Sequence, residues 1–259
     1  MTKRTKLLGL GLEILVPLAA VGALAIWTSQ QDSYYYPPLG DVLSTFNDTW
    51  LFERVGSDLI PSLERMAVGF VIAVVAGVSF GLLLGRSRRA RIAATPIIEF
   101  LRAIPPPALL PFAILVMGVG SGMKIFIIAV VCVWPVLLNT IDGASSLDLT
   151  LEDTTRAYSI SKRDRLLRVV LPAAGPQIFA GIRLAVSLAL ILMVISEMVA
   201  STNGIGYFVL QSQRTFAIPE MWSGILLLGI LGYALNMVFV MIERRVLRWH
   251  RGAHASVLS

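Results

Sequence analysis

Leu149 to Pro176 reads LTLEDTTRAYSISKRDRLLRVVLPAAGP, the longest polar interruption between two strongly apolar segments of the chain. It carries Arg156, Lys162, Arg163, Arg165 and Arg168 against Glu152, Asp153 and Asp164. Leu166, Leu167, Val169, Val170 and Leu171 then supply apolar surface at helical spacing, before Pro172 stops or bends the helix. A soluble amphipathic helix has the same pattern. The flanks decide the matter, because an apparent membrane span stands on either side.

Of the 259 residues, 56% are hydrophobic and only 15% charged, whereas soluble domains carry about 25% charged residues. Windows of about 20 apolar residues fall at Leu7 to Trp27, Ile60 to Gly85, Thr95 to Val119, Met123 to Leu138, Pro176 to Ala200 and Met221 to Ile242. The expected fold is all-α: a polytopic membrane protein of six transmembrane helices, with residues 1–259 as one domain. The connections are too short to hold a soluble domain.

A net charge of +6 and a pI near 9.8 raise the question of nucleic acid, so the placement of the charge matters. Basic residues cluster at the N-terminus (Lys3, Arg4, Lys6), after the second span (Arg86, Arg88, Arg89, Arg91), in the 149–176 stretch and in the tail (Arg244, Arg245, Arg248, Arg251). With six spans all four clusters lie on one side. The opposite connections hold only Arg54, Arg65, Lys124 and Arg214 among several carboxylates. By the positive-inside rule both termini and the 149–170 loop are cytoplasmic, and no nucleic-acid role is expected. The single cysteine, Cys132, and the tail histidines, His250 and His254, exclude an internal disulfide and a Cys/His metal cluster. Lys3-Arg4-Thr5-Lys6 before an apolar run resembles a signal peptide, but the run is longer than a signal core, so an uncleaved helix is expected.

Residues 28–58, with Tyr34-Tyr35-Tyr36-Pro37-Pro38, read as an external segment anchored by aromatics, with a short helix at the membrane surface. Gly69, Ala73, Gly77, Gly81 and Gly85 recur every fourth position and predict close approach of another helix. In span three, Pro105, Pro106, Pro107 and Pro111 predict a kinked or unwound cytoplasmic half. Just before them, Glu99 and Arg102 share a face, either as a local salt bridge or as a brace for a gate. Gly118 to Lys124 lacks the Gly-Lys-Ser/Thr of a phosphate loop and reads as a tight turn. In span five, Arg183, Ser187 and Glu197 are candidates for a polar pathway, while Arg183 snorkelling and Glu197 reaching the outer interface stand as the alternatives. Residues 201–220 predict a re-entrant or surface helix over Gly206 to Thr215, placed to form an outer gate.

The 149–176 stretch also resembles the cytoplasmic signature of ABC-importer permeases, a Glu-Ala-Ala followed by a Gly with the Pro of a Leu-Pro pair thirteen residues beyond that Gly. Here Leu171-Pro172 is the pair, Ser159 takes the glycine position and Asp153-Thr154-Thr155 take the Glu-Ala-Ala positions. Glu99-Phe100-Leu101-Arg102-Ala103-Ile104-Pro105-Pro106, Pro135-Val136-Leu137-Leu138-Asn139-Thr140, Ala180-Gly181-Ile182-Arg183-Leu184-Ala185 and Glu197 with Gly204-Ile205-Gly206-Tyr207 are similar to the nitrate, sulfonate and taurine permeases. Related importers take bicarbonate or thiamine-precursor pyrimidines.

The resemblance implies a type I ABC-importer-like permease with a cytoplasmic coupling helix. Asp153, Thr155, Arg156, Ala157 and Ser159 would dock on a separate ATPase, and Leu171 and Pro172 would fix the turn into span five. Thr150 is the candidate N-cap, with Glu152 and Asp153 complementing the helix dipole. Glu99, Arg102, Pro105, Pro106, Arg183, Ser187 and Glu197 would line or gate the pathway. The resemblance further implies a homodimer in the bacterial inner membrane lipid, two ABC ATPase subunits that bind ATP and magnesium, and a periplasmic or lipid-anchored solute-binding protein. This chain would bind no cofactor and catalyse no bond chemistry. Two other classes remain beside it. A secondary transporter would continue uptake without an ATPase, but the sequence shows no inverted repeats and few buried carboxylates to carry protons, and a membrane enzyme lacks a His, Cys or clustered carboxylate constellation inside the membrane.

Overall fold

A computed structural model of the chain describes residues 3–30, 33–147, 153–155 and 157–248, with side chains from residue 15 onward except at 17 and 18. The described residues form α1 (Lys3–Gln30), α2 (Leu39–Asp48), α3 (Ile60–Gly85), α4 (Arg88–Arg102), α5 (Pro106–Met117), α6 (Ser121–Ser145), α7 (Lys162–Arg165), α8 (Leu171–Val199), α9 (Ile205–Arg214) and α10 (Ile218–Val246). None of them is in a strand. Single π-helical turns at Thr49–Glu53 and Val55–Leu59 lead into α3, and another at Leu166–Val170 joins α7 to α8. Lipid tails are as apolar as leucine, so hydrophobicity alone cannot choose helix partners in a membrane, and shape decides.

The deciding shape is the small-residue face of α3. A Cβ added at Gly69 would lie 2.8 Å from Ile128 Cβ, at Gly77 2.8 Å from Val136 Cβ, at Gly81 2.5 Å from Thr140 Cβ and at Gly85 2.7 Å from Ala144 Cβ. Both helices therefore advance by four residues in step, so α3 and α6 run parallel with their backbones close. On its other side α6 meets α8 the same way: a Cβ at Gly181 would lie 2.6 Å from the Pro135 carbonyl oxygen, and one at Gly143 2.9 Å from Gln177 Cβ. Those pairs run in opposite directions, so α6 is antiparallel to α8. Sandwiched between the two, α6 is the most buried of the long helices, and Ile127, Ile128, Cys132, Val136 and Thr140 are wholly inside.

Because α3 and α6 are parallel, the chain between them must return from the end carrying the 146–170 loop, the loop face, to the opposite end. It does so in two pieces. α4 packs Ile98 against Leu137 and Ile141 near the loop face, and α5 leaves it at an angle of 88°. The expected span from Thr95 to Val119 is thus broken at Ala103 to Pro105 rather than merely kinked. Pro105 is extended, at φ −60° and ψ 129°, and starts α5. Its ring and those of Pro106 and Pro107 leave no donors for a continuous helix. The break is held by protein, since Pro106 and Leu110 face Ile127, Leu192 and Ile195. Among the described residues four helices are long and apolar enough to cross a membrane, or five with the broken pair as one crossing.

Of the two outcomes expected at Pro172, a stop or a bend, the stop does not occur. Residues Lys162–Val199 form one helical span, and the π-helical turn just before Pro172 absorbs its missing donor. The segment ahead of α2 folds back on α10 and the turn before it: Trp222 Nε1 donates to the Tyr35 carbonyl at 3.1 Å and Tyr34 Oη to the Phe216 carbonyl at 2.5 Å. Trp50 is buried against Phe208, with ring centroids 4.8 Å apart. Gly118, at φ 72°, makes the expected tight turn between α5 and α6. The seam is tested by Gly81→Ala, which is expected to cost about 1–3 kcal/mol by overpacking in unfolding of the purified chain. Gly229→Ala, where an added Cβ meets nothing within 4 Å, is expected to be silent.

Candidate functional site

At the end opposite the loop face the bundle is closed by a buried polar network. Glu197, wholly buried near the end of α8, accepts from Ser62 Oγ at 2.8 Å, from Arg65 Nη1 at 3.0 Å and from the Gly206 amide at 3.1 Å. Asp58 accepts the Gly204 amide at 2.6 Å, and Ser62 accepts the Ile205 amide at 3.0 Å. Arg65 also donates to Asn203 Oδ1 at 2.7 Å and to Ser121 Oγ at 3.0 Å. Donors and acceptors from α3, α6 and α8 therefore converge on the turn that starts α9 and satisfy its first amides. Gly204 adopts φ 116°, and a Cβ built there would overlap the Glu197 carboxylate; a side chain would be strained in the backbone and expelled by the acid.

Of the two readings open for Glu197, the reach to the outer interface does not hold, and Arg65 and Lys124, counted by sequence among the few basic residues of the opposite connections, are only 7% and 3% exposed. A carboxylate is tolerated at this depth because charged and neutral donors fill its lone pairs. The sequence did contain a signal: Asp58, Ser62 and Arg65 stand at i, i+4 and i+7, one helical face. The expected helix after Thr202 is present as α9, with Phe208 and Ser212 buried beneath it.

At the loop face, residues 153–155 and 157 are helical. Thr155 is buried and faces Arg165, Ser145 and Arg86 across a small cavity of about 140 Å³. Asp153, Ala157 and Ser159 are exposed. So are Tyr158 and Ile160, at 76% and 41%, a pair of apolar groups that sequence reasoning passed over. Leu171 and Pro172 are half-buried. Arg156, the N-cap Thr150 and Glu152 lie outside the described residues. Ser159 has φ 52°, the left-handed conformation that favours glycine, at the position matching the glycine of the permease signature.

The remaining pathway candidates do not gather at one place. Glu99 and Arg102 form an exposed ion pair of 2.6 Å at the end of α4, beside exposed Pro105 and half-buried Pro106 at the break. Arg183 and Ser187 line a groove between α8 and α10, where Arg183 pairs with Glu243 and its guanidinium lies 5.7 Å from the Phe239 ring centroid. Glu243 and Asn236 in that groove were not singled out from sequence. Among the described residues no group of His, Cys, Asp or Glu could hold a metal ion.

Removing one member of the network leaves a charge buried without its partner, so Glu197→Ala is expected to lose about 3–5 kcal/mol. Arg65→Met with Glu197→Leu should recover much of that loss in thermal unfolding. Ser159→Gly is expected to gain about 1 kcal/mol by relieving left-handed strain, read in the same assay.

Residues 73–251 match the family described as binding-protein-dependent transport system inner membrane component. A probable ABC transporter permease protein of Brucella abortus (strain 2308) is 30% identical over 248 residues, 96% of this chain and 99% of that protein. The bicarbonate transport system permease protein CmpB of Synechococcus elongatus is 32% identical over 251 residues, covering 91% and 90%. The nitrate import permease protein NrtB of Synechocystis sp. is 33% identical over 206 residues, covering 79% and 75%. In fold the chain is similar to a chain of the inward-facing MetNI methionine ABC transporter, with a TM-score of 0.63 and 21% identity over 73% of this chain and 94% of that one. The broken crossing, the exposed helical loop and these full-length similarities agree, and the chain belongs to the binding-protein-dependent transport system inner membrane components, the permeases of ABC importers.

Proposed function

We propose that this permease carries a small anion, such as nitrate, a sulfonate, taurine or bicarbonate, and is driven by a separate ATPase that docks on the 149–170 loop. The observation that carries the reading is the loop face itself. It presents Asp153, Ala157, Tyr158 and Ser159 outward on a helical turn whose Thr155 is anchored inside, next to the long rigid helix that runs to Val199. A push on the turn is therefore transmitted along α8 to the Glu197 network at its far end, where α9 closes the bundle. Tyr158 and Ile160 are the apolar knobs of this surface. Similarity to the nitrate and bicarbonate permeases supports the anion.

In this reading ATP and magnesium belong to the partner ATPase, and this chain holds no cofactor and performs no bond chemistry. Two copies pair in the inner membrane lipid, each crossing six times with α1 as the first crossing, both termini and residues 149–170 in the cytoplasm and residues 28–58 and 201–220 outside. A periplasmic or lipid-anchored binding protein delivers the solute. Glu99, Arg102, Pro105, Pro106, Arg183, Ser187 and Glu197 border or brace the route, each at its own level.

Asp153→Lys with Arg156→Glu places like charges across the docking surface. It is expected to lower copurification of the ATPase about tenfold or more and to abolish solute-stimulated ATP hydrolysis. Retention of both would remove the coupling assignment. Calorimetry on the cognate binding protein identifies the solute, and a neutral pyrimidine as its ligand would replace the anion.

A further inference from the structure

The groove between α8 and α10 has a composition that packing does not explain. The two helices run antiparallel, with Arg183 opposite Glu243 and Leu190 against Gly232, and they enclose a cavity of about 320 Å³. Its walls are apolar except for Arg183 and Ser187 on α8 and Asn236 on α10. At a rise of 1.5 Å per residue, Ser187 lies about 6 Å deeper than Arg183, and Asn236 about 10 Å deeper than Glu243. Both side chains are exposed in this chain, and among the described residues neither has a hydrogen-bond partner. An amide facing hydrocarbon with its donors unmet is costly, so polar groups at such depth face a wet cavity or other protein.

The mouth of the groove holds a cation with a resident counter-ion. Arg183 pairs with Glu243 and lies over Phe239, a fixed guanidinium whose planar fork suits any oxyanion as well as it suits a carboxylate. Deeper in, the Ser187 hydroxyl and the Asn236 amide are the next donors on the same walls.

Resting on the reading that this permease conducts a small anion, we infer that the α8–α10 groove is a transit site for a small oxyanion. Arg183 exchanges Glu243 for the anion, and Ser187 and Asn236 donate hydrogen bonds to it deeper in. Glu243 serves as a built-in competitor. It keeps the site neutral when empty and displaces the anion afterwards, so binding stays weak enough for release.

The test uses cysteine accessibility in the full-length chain, purified with the subunits that accompany it, in nanodiscs of zwitterionic lipid. Cys132, the only cysteine and a buried one, is replaced by Ala, and Asn236→Cys supplies the probe. An anionic sulfonatoethyl methanethiosulfonate is expected to react faster than its trimethylammonium counterpart by about tenfold beyond their ratio on a free thiol. Saturating nitrate, bicarbonate or taurine is expected to slow it. Glu243→Gln should raise the charge preference and Arg183→Gln should erase it, whereas a purely structural ion pair would be damaged alike by either change. The double variant, which leaves no unpaired charge, controls for misfolding and is expected to lack the preference as well. Reaction with neither reagent means that lipid or a second copy covers the groove, and overturns the site. Equal rates for both charges overturn it too, as does protection that appears only in a second set of nanodiscs containing anionic lipid and not with the added solutes, which would mark a headgroup site. ATP-driven uptake of the same three solutes, measured in parallel, separates the two claims: uptake without charge preference removes the site and leaves the importer reading, whereas charge preference without uptake leaves the site and removes the importer reading.

Discussion

The fold depends on how closely α6 approaches the helices on its two sides. A membrane offers no hydrophobic force to bring helices together, so attraction comes from dispersion between surfaces near enough to touch. Gly69, Gly77, Gly81 and Gly85 remove the side chains that would hold α3 away, and Ile128, Val136, Thr140 and Ala144 fill the space. Gly143 and Gly181 do the same toward α8. With α6 fixed in this way, α3 and α8 are fixed too, and the connection between α3 and α6 has to recross the bundle. The 88° break between α4 and α5 is backed on one side by protein, where Pro106 and Leu110 meet Ile127, Leu192 and Ile195.

The two ends of the bundle obtain their rigidity from different physics. At one end, a fully buried carboxylate is saturated by a serine, an arginine and a backbone amide, and the same residues cap the turn that positions α9. Such a network has few alternative arrangements, because any change leaves a charge without a partner. At the loop face Asp153, Ala157 and Ser159 are exposed instead. Tyr158 and Ile160 stand exposed among them. One helical span, Lys162–Val199, runs from the loop face to the Glu197 network and so connects the two ends.

Much of this was legible from residue types and spacing. The four-residue repeat of small side chains announced the α3 seam, the proline run announced the interruption of the third crossing, and the polar stretch after α6 announced an exposed loop. At Pro172 the sequence left a stop and a bend both open, since the π-helical turn that keeps the helix continuous there cannot be read from residue types. Glu197 stayed ambiguous for a related reason: its partners, Ser62 and Arg65, are more than a hundred residues away, and nothing local distinguishes a buried acid from one reaching the interface.

By itself the sequence determined the class of molecule, since an excess of apolar residues in helix-length runs with so few charges has no folded solution in water. It also determined the family, through short motifs spread over nearly the whole chain. Only the tertiary structure decided which helix faces which, that Arg65 neutralises Glu197, that Ser159 takes a left-handed backbone conformation, and that Arg183, Ser187, Asn236 and Glu243 lie along one groove. Helix formation in lipid is settled locally by hydrogen bonds along one segment. The pairing of buried charges is settled by the close packing of segments far apart in the chain.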